Sequence, residues 1–182
     1  MKKTARYLPR NTLWTRASPL MRFFVGCALI ILVGYLGLTP NVIFGIEIAW
    51  PHAALWGAVG WASAGLSVRI MLVLILLGIA QDLFFDAPIG VFAIVNLVTY
   101  AVAAILSQAF AVETEILMTI MVTGIAMTSG FFLLWILASA ASLHAVSIQF
   151  LTQQAISTFI IFFVIMGLFR LGGLPGIRAG TS

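Results

Sequence analysis

Two carboxylates, Asp82 and Asp86, stand four residues apart at the end of a long apolar run, in the segment Gly78-Ile79-Ala80-Gln81-Asp82-Leu83-Phe84-Phe85-Asp86-Ala87-Pro88-Ile89-Gly90. The chain has only five acidic residues, so this segment holds much of its carboxylate chemistry. An acid at the centre of a bilayer-embedded helix costs about 2.5–3.5 kcal/mol on insertion scales. Such a group either has a task or marks the point where a helix reaches water. On a continuous helix the two carboxylates would share a face, but Pro88 disfavours helix at Ala87 and breaks that relation. Two carboxylates alone make a poor metal site. The other reactive residues are sparse. His52 and His144 are far apart and lack the His-Glu-x-x-His spacing of a zinc protease. No Ser, His and acid group marks a nucleophile turn, and no glycine loop is built to cradle phosphate. Cys27, the one cysteine, lies in the first apolar run and leaves neither an intramolecular disulfide nor a thiolate metal site. The reading is a non-enzyme with no cofactor.

The elements that must position these residues are membrane helices. The chain is 63% hydrophobic and 8% charged, with a mean hydropathy of +1.18. A water-soluble domain of 182 residues could not hide that much apolar surface. The net charge of +4 matters less than its placement. Lys2, Lys3, Arg6, Arg10, Arg16 and Arg22 crowd the N-terminus, Arg69 sits between two apolar runs, and Arg170 and Arg178 lie near the C-terminus. Beside a membrane span, basic clusters stay in the cytoplasm and attract anionic lipid, so nucleic acid is not the expected partner. The basic region is long and the run passes Gly34, Gly37 and Pro40 without a convincing cleavage site, which argues against a cleavable signal peptide.

Six spans fit, at about 20–38, 50–66, 70–85, 89–110, 116–138 and 146–169. The expected fold class is therefore an all-α membrane protein. A basic cytoplasmic tail (1–19) precedes a six-helix transmembrane domain (20–170), and a short cytoplasmic tail (171–182) follows. The second span is the weakest, rich in Ala and Gly, with Pro51 expected in its first turn. Short connections favour antiparallel neighbours. With both termini cytoplasmic, all nine Lys and Arg residues fall on one side, and Glu47, Asp82, Asp86 and His144 fall near the other. No internal repeat stands out, so an inverted-repeat transporter is not indicated.

Small residues recur at four-residue spacing in the second span: Ala53 with Gly57, Ala54 with Ala58, and Gly60 with Ala64. They allow close backbone approach in lipid, within the bundle or against another membrane protein. The fourth span puts Asn96 and Tyr100 on one face beside Thr99. The sixth opens with Gln149, Gln153 and Ser157 on one face, beside Gln154 and Thr158. An unpaired polar group in hydrocarbon costs several kcal/mol, on the order of 2–7. These groups, with Asp82 and His52, are expected to meet one another or to line a wet pocket toward the outer half. For Asp82 the expected donors are Asn96, Gln149 and Gln153.

Pro51 opening a span, the short loop through Arg69, and a third span ending Gly78-x-x-x-Asp82-Leu83 before Gly90 together resemble the core signature of the MreD family of rod shape-determining membrane proteins. Tyr100 in the next span fits as well. The resemblance is strongest over 50–110, and its motifs are degenerate. The family often carries a proline in its last span, and 156–168 contains none. The resemblance implies a bacterial inner-membrane protein of the cell-elongation machinery that works beside MreC, MreB, RodA and a class B penicillin-binding protein. It also implies a compact bundle similar to the substrate-binding components of energy-coupling-factor transporters. The expected function is a non-enzymatic scaffold that regulates cell shape and peptidoglycan synthesis through partner binding. The alternative is a substrate-binding membrane component of a small-solute transporter. Taken with the small-residue spacing and the polar helix faces, the candidate structural or partner-binding residues are Pro51, Gly57, Gly78, Asp82, Gly90, Asn96, Tyr100, Gln149 and Gln153.

Overall fold

A computed structural model describes residues 18–37, 42–43, 46–47, 49–110, 116–142 and 147–169. The tails expected at 1–19 and 171–182 therefore lie outside the described residues, apart from Ser18 and Pro19, as do His144 and the two C-terminal arginines. Six helices appear in chain order: α1 (Pro19–Leu36), α2 (Ala53–Ala62), α3 (Val68–Phe84), α4 (Val91–Ala109), α5 (Ile116–Ser142) and α6 (Ile148–Phe169). Each coincides with one of the six apolar runs. Between α1 and α2 lies a two-stranded antiparallel hairpin of β1 (Val42–Ile43) and β2 (Ile46–Glu47), with Val42 opposite Glu47 and Ile43 opposite Ile46. Apart from it, the described residues form helices, turns and short irregular connections.

The helices begin and end for local reasons. Ser18 caps α1 by accepting the Met21 N–H at 3.2 Å, and Pro19 takes the first turn, where a missing N–H leaves nothing unpaired. The α3 helix ends in a left-handed residue, Asp86 at φ 51°, and the Ala87 N–H turns back to the Asp82 carbonyl at 2.9 Å. That is a Schellman closure, with Pro88 following where helix cannot continue.

The α2 helix is the hub. All ten of its residues are buried, and it touches each of the other five helices. The others form an arc around it in the order α1, α6, α5, α4, α3. Its Ala and Gly content is what admits so many neighbours, while Trp56 and Trp61 fill the remaining volume. The outer helices bury one side and show apolar side chains on the other. Leu20, Phe24, Leu72, Leu76, Ile105, Phe132, Ile160 and Val164 all face outward, the last 81% exposed. Apolar residues on both sides of a helix are the pattern of a bundle solvated by hydrocarbon. Among the described residues, three helices are long and apolar enough to cross a membrane, over Val91–Ala109, Leu117–Ala141 and Ile148–Met166.

One expectation about α2 is corrected. Pro51 does not sit in the first turn: the helix starts at Ala53, with His52 as its N-cap. Residues 49–52 are non-helical instead. Proline restricts the residue before it to extended backbone, which favours a straight approach over an extra helical turn.

Candidate functional site: the α3–α4 joint

Asp82 is fully buried. Its carboxylate accepts two backbone N–H bonds, Oδ2 from Gly90 at 2.6 Å and Oδ1 from Phe92 at 2.8 Å. Gly90 is the N-cap residue of α4 and Phe92 lies in its first turn. The carboxylate thus covers two amides that a helix start leaves without intrahelical partners, and it lies against the positive end of the α4 dipole. Charge-assisted bonds of this kind are about twice as strong as neutral ones. The same residue also accepts the Ala87 N–H through its main-chain carbonyl. Asp82 therefore holds both sides of the turn.

Two glycines make the joint possible. Gly90 has φ 101°, a left-handed conformation that disfavours side chains. Gly78 lies one helical turn before Asp82, and a Cβ there would collide with the backbone of Phe92 and Ala93. Main chain cannot move aside as a side-chain tip can, so α3 and α4 meet at Gly78 without intervening side chains. The spacing Gly78-x-x-x-Asp82 is thus one contact line: a close approach, then a clasp. Beside it, the buried Asn96 donates from Nδ2 to Gln81 Oε1 at 3.3 Å.

Tyr100, midway along α4, works at the end of α3 opposite Asp82. Its hydroxyl accepts the Ser67 N–H at 2.9 Å and donates to the Gly65 carbonyl at 2.7 Å, pinning the α2–α3 turn. Gly65 has φ 83°, so this turn needs its glycine too. Gly57 packs within α2 and against α1, where an added Cβ would meet Ile30 Cδ1 at 2.8 Å and Trp61 Cζ3 at 3.0 Å. Gly60 faces Phe169 at the end of α6.

The expected single polar cluster is not formed. Asp82 takes its donors from backbone, not from Asn96, Gln149 or Gln153. Gln149 and Gln153 are exposed on α6. Tyr100 serves the far end of α3. The side of α6 that does engage bears Ser157 and Thr158, and it binds the non-helical approach to α2. Thr158 Oγ1 accepts the His52 N–H at 2.8 Å and donates to the Gln154 carbonyl at 2.6 Å. Ser157 Oγ donates to the Ala49 carbonyl at 3.2 Å, and Trp56 Nε1 donates to the Thr158 carbonyl at 2.9 Å. Trp50 Nε1 ties the same segment to the Val33 carbonyl of α1 at 2.6 Å. Pro51 is half-buried within this segment. The tryptophans were not anticipated as donors. For Trp50 its position beside Pro51 was the available signal, whereas Trp56 carried none.

Among the described residues no three of His, Cys, Asp and Glu gather where a metal could bind. Searched against family models, curated proteins and solved structures, the chain has no match.

Proposed function

We propose that the protein is a non-enzymatic scaffold of the bacterial cell-elongation machinery, set in the inner membrane by six crossings with both termini cytoplasmic. The observation that carries the proposal is the α3–α4 joint. Gly78, Asp82 and Gly90, which carry the resemblance to the MreD family, are three parts of one clasp. A buried carboxylate with both oxygens engaged by backbone N–H groups is placed to hold two helices together. In this reading the clasp fixes the hairpin whose outer surface partners use. MreC, MreB, RodA and a class B penicillin-binding protein are the partners the resemblance implies.

Crossing by α2 is the demanding part of the topology. Ten helical residues reach about 15 Å, roughly half of a ~30 Å hydrocarbon core. The four non-helical residues 49–52 add about 13 Å if extended. Irregular backbone at membrane depth is tolerated where protein covers it, and the hydrogen bonds from Ser157 and Thr158 to this segment meet that condition. Positive charge agrees with the orientation, since Arg69 opens α3 at the end opposite Asp82.

Clean removal of the gene from a rod-shaped host tests the proposal. Rounded cells, with peptidoglycan chemistry still competent in vitro, are the expected outcome. Normal rods that have lost uptake of one small solute would instead favour a substrate-binding transport component. Reporter fusions at Thr4 and Ser182 test the topology, and periplasmic labelling of either would overturn it.

A further inference from the structure

Where residues 49–52 enter α2, the polar groups are not all paired. His52 provides no side-chain cap, so the buried amides of Ala53 and Ala54 open the helix without one. His52 Nε2, Asn96 Oδ1 and Thr99 Oγ1 have no protein partner. All three residues are at least 97% buried, their exposures being 3%, 0% and 0%. They lie in one region. The His52 ring stacks on Phe92 with centroids 5.0 Å apart and approaches Phe131 at 6.4 Å. Asn96 follows Phe92 by one turn of α4. Thr99 Oγ1 lies against Gly130 of α5, and Leu55 of α2 meets the same glycine. The surroundings are apolar, built from Leu55, Val95, Phe131 and Leu134.

We infer that this region is an internal hydration site, in which ordered water joins the start of α2 to the inner face of α4. The chemistry selects a neutral ligand that both donates and accepts. A cation would face the positive end of α2. An anion would face the Asn96 carbonyl oxygen. Water can accept from the Ala53 or Ala54 amide and donate to Asn96 Oδ1, with Thr99 and His52 completing two to four contacts, the number a buried water normally makes. The water takes over the hydrogen bonding that α2 loses by starting as a half-length helix. The inference concerns this chain's own packing and stands whether or not the elongation proposal holds.

The test uses the full chain in lipid nanodiscs. Thr99→Val keeps the shape and removes only the hydroxyl. If water binds that hydroxyl, the Tm falls by about 2–4 °C. If the hydroxyl is dry and unpaired, removing it relieves a penalty, and an unchanged or higher Tm overturns the inference. Water-edited solid-state NMR gives a second readout. Magnetisation from water should reach the Ala53 and Ala54 amides faster than the equally buried, helix-bonded amides of Ala58 and Leu74. Equal build-up would overturn the inference, as would recovery of a stoichiometric organic solute from the purified protein whose retention depends on Thr99.

Discussion

Asp82 and His52 are both buried polar residues at helix ends in apolar surroundings, yet the fold treats them in opposite ways. Asp82 itself is fully paired within the protein: two amides on the carboxylate and a third on its carbonyl. Around His52 the main chain is bonded to Thr158, while the ring Nε2 and the nearby Asn96 Oδ1 and Thr99 Oγ1 find none. A buried polar network that is fully paired rigidifies its surroundings, whereas buried polar groups without a protein partner are commonly satisfied by ordered water. The α3–α4 joint is therefore a closed structural device, and the approach to α2 is an open one. Glycine marks both. Gly78 lets main chain meet main chain at the joint, and Gly130 makes room for a hydroxyl at the break.

The comparison breaks most severely at Gly78. Gly78→Leu drives a side chain into the backbone of α4 and should abolish folded yield in detergent, measured by monodisperse recovery in size-exclusion chromatography. Overpacking a well-packed contact already costs about 1–3 kcal/mol, and main chain gives less than side chain. Gly57→Ala should do far less harm, because its nearest neighbours are the tip of Ile30 and the ring of Trp61. Equal losses from the two changes would remove the distinction between backbone and side-chain contacts.

Asp82→Ala comes next. It strands two buried amides at the start of α4, and its expected cost is about 1–3 kcal/mol, read as a lower Tm. Asp82→Asn should fall between, since one oxygen can still accept while the amide nitrogen cannot take the second N–H. Tyr100→Phe removes both hydrogen bonds at the α2–α3 turn and should cost about 1 kcal/mol, with faster hydrogen exchange at Ser67. Asp86 is the mildest position. It is exposed, and its left-handed φ of 51° suits glycine better than alanine. Asp86→Gly should leave the Tm unchanged or slightly raised, and Asp86→Ala should lower it by less than Asp82→Ala.

How much of this was legible in the sequence differs between the two regions for a physical reason. The joint was readable because its parts are close in sequence. Gly78, Asp82, Pro88 and Gly90 lie within 13 residues of sequence; Pro88 announced the helix break and the family resemblance marked the other three, while the close approach at Gly78 was not read. The distinction between Asp82 and Asp86 followed from the position of Pro88. The donors to Asp82 were misassigned because main-chain amides carry no sequence mark, while the exposed Gln149 and Gln153 do. The break before α2 was hidden for a different reason. Apolar content over 50–66 reads as a span whether the backbone is helical or not. The bonds that sustain residues 49–52 come from Val33, Ser157 and Thr158, between 17 and 108 residues away. The small-residue pattern of α2 did announce close packing, but not that it would be buried on every side.

The measurement that bears most directly on the central claim is complementation of a deletion strain by Asp82→Ala and by Asp86→Ala, with expression matched by immunoblot. If the α3–α4 clasp holds the surface on which an elongation scaffold depends, Asp82→Ala fails to restore rod shape and Asp86→Ala restores it. Normal rods with Asp82→Ala, together with rounded cells with Asp86→Ala, would contradict the account.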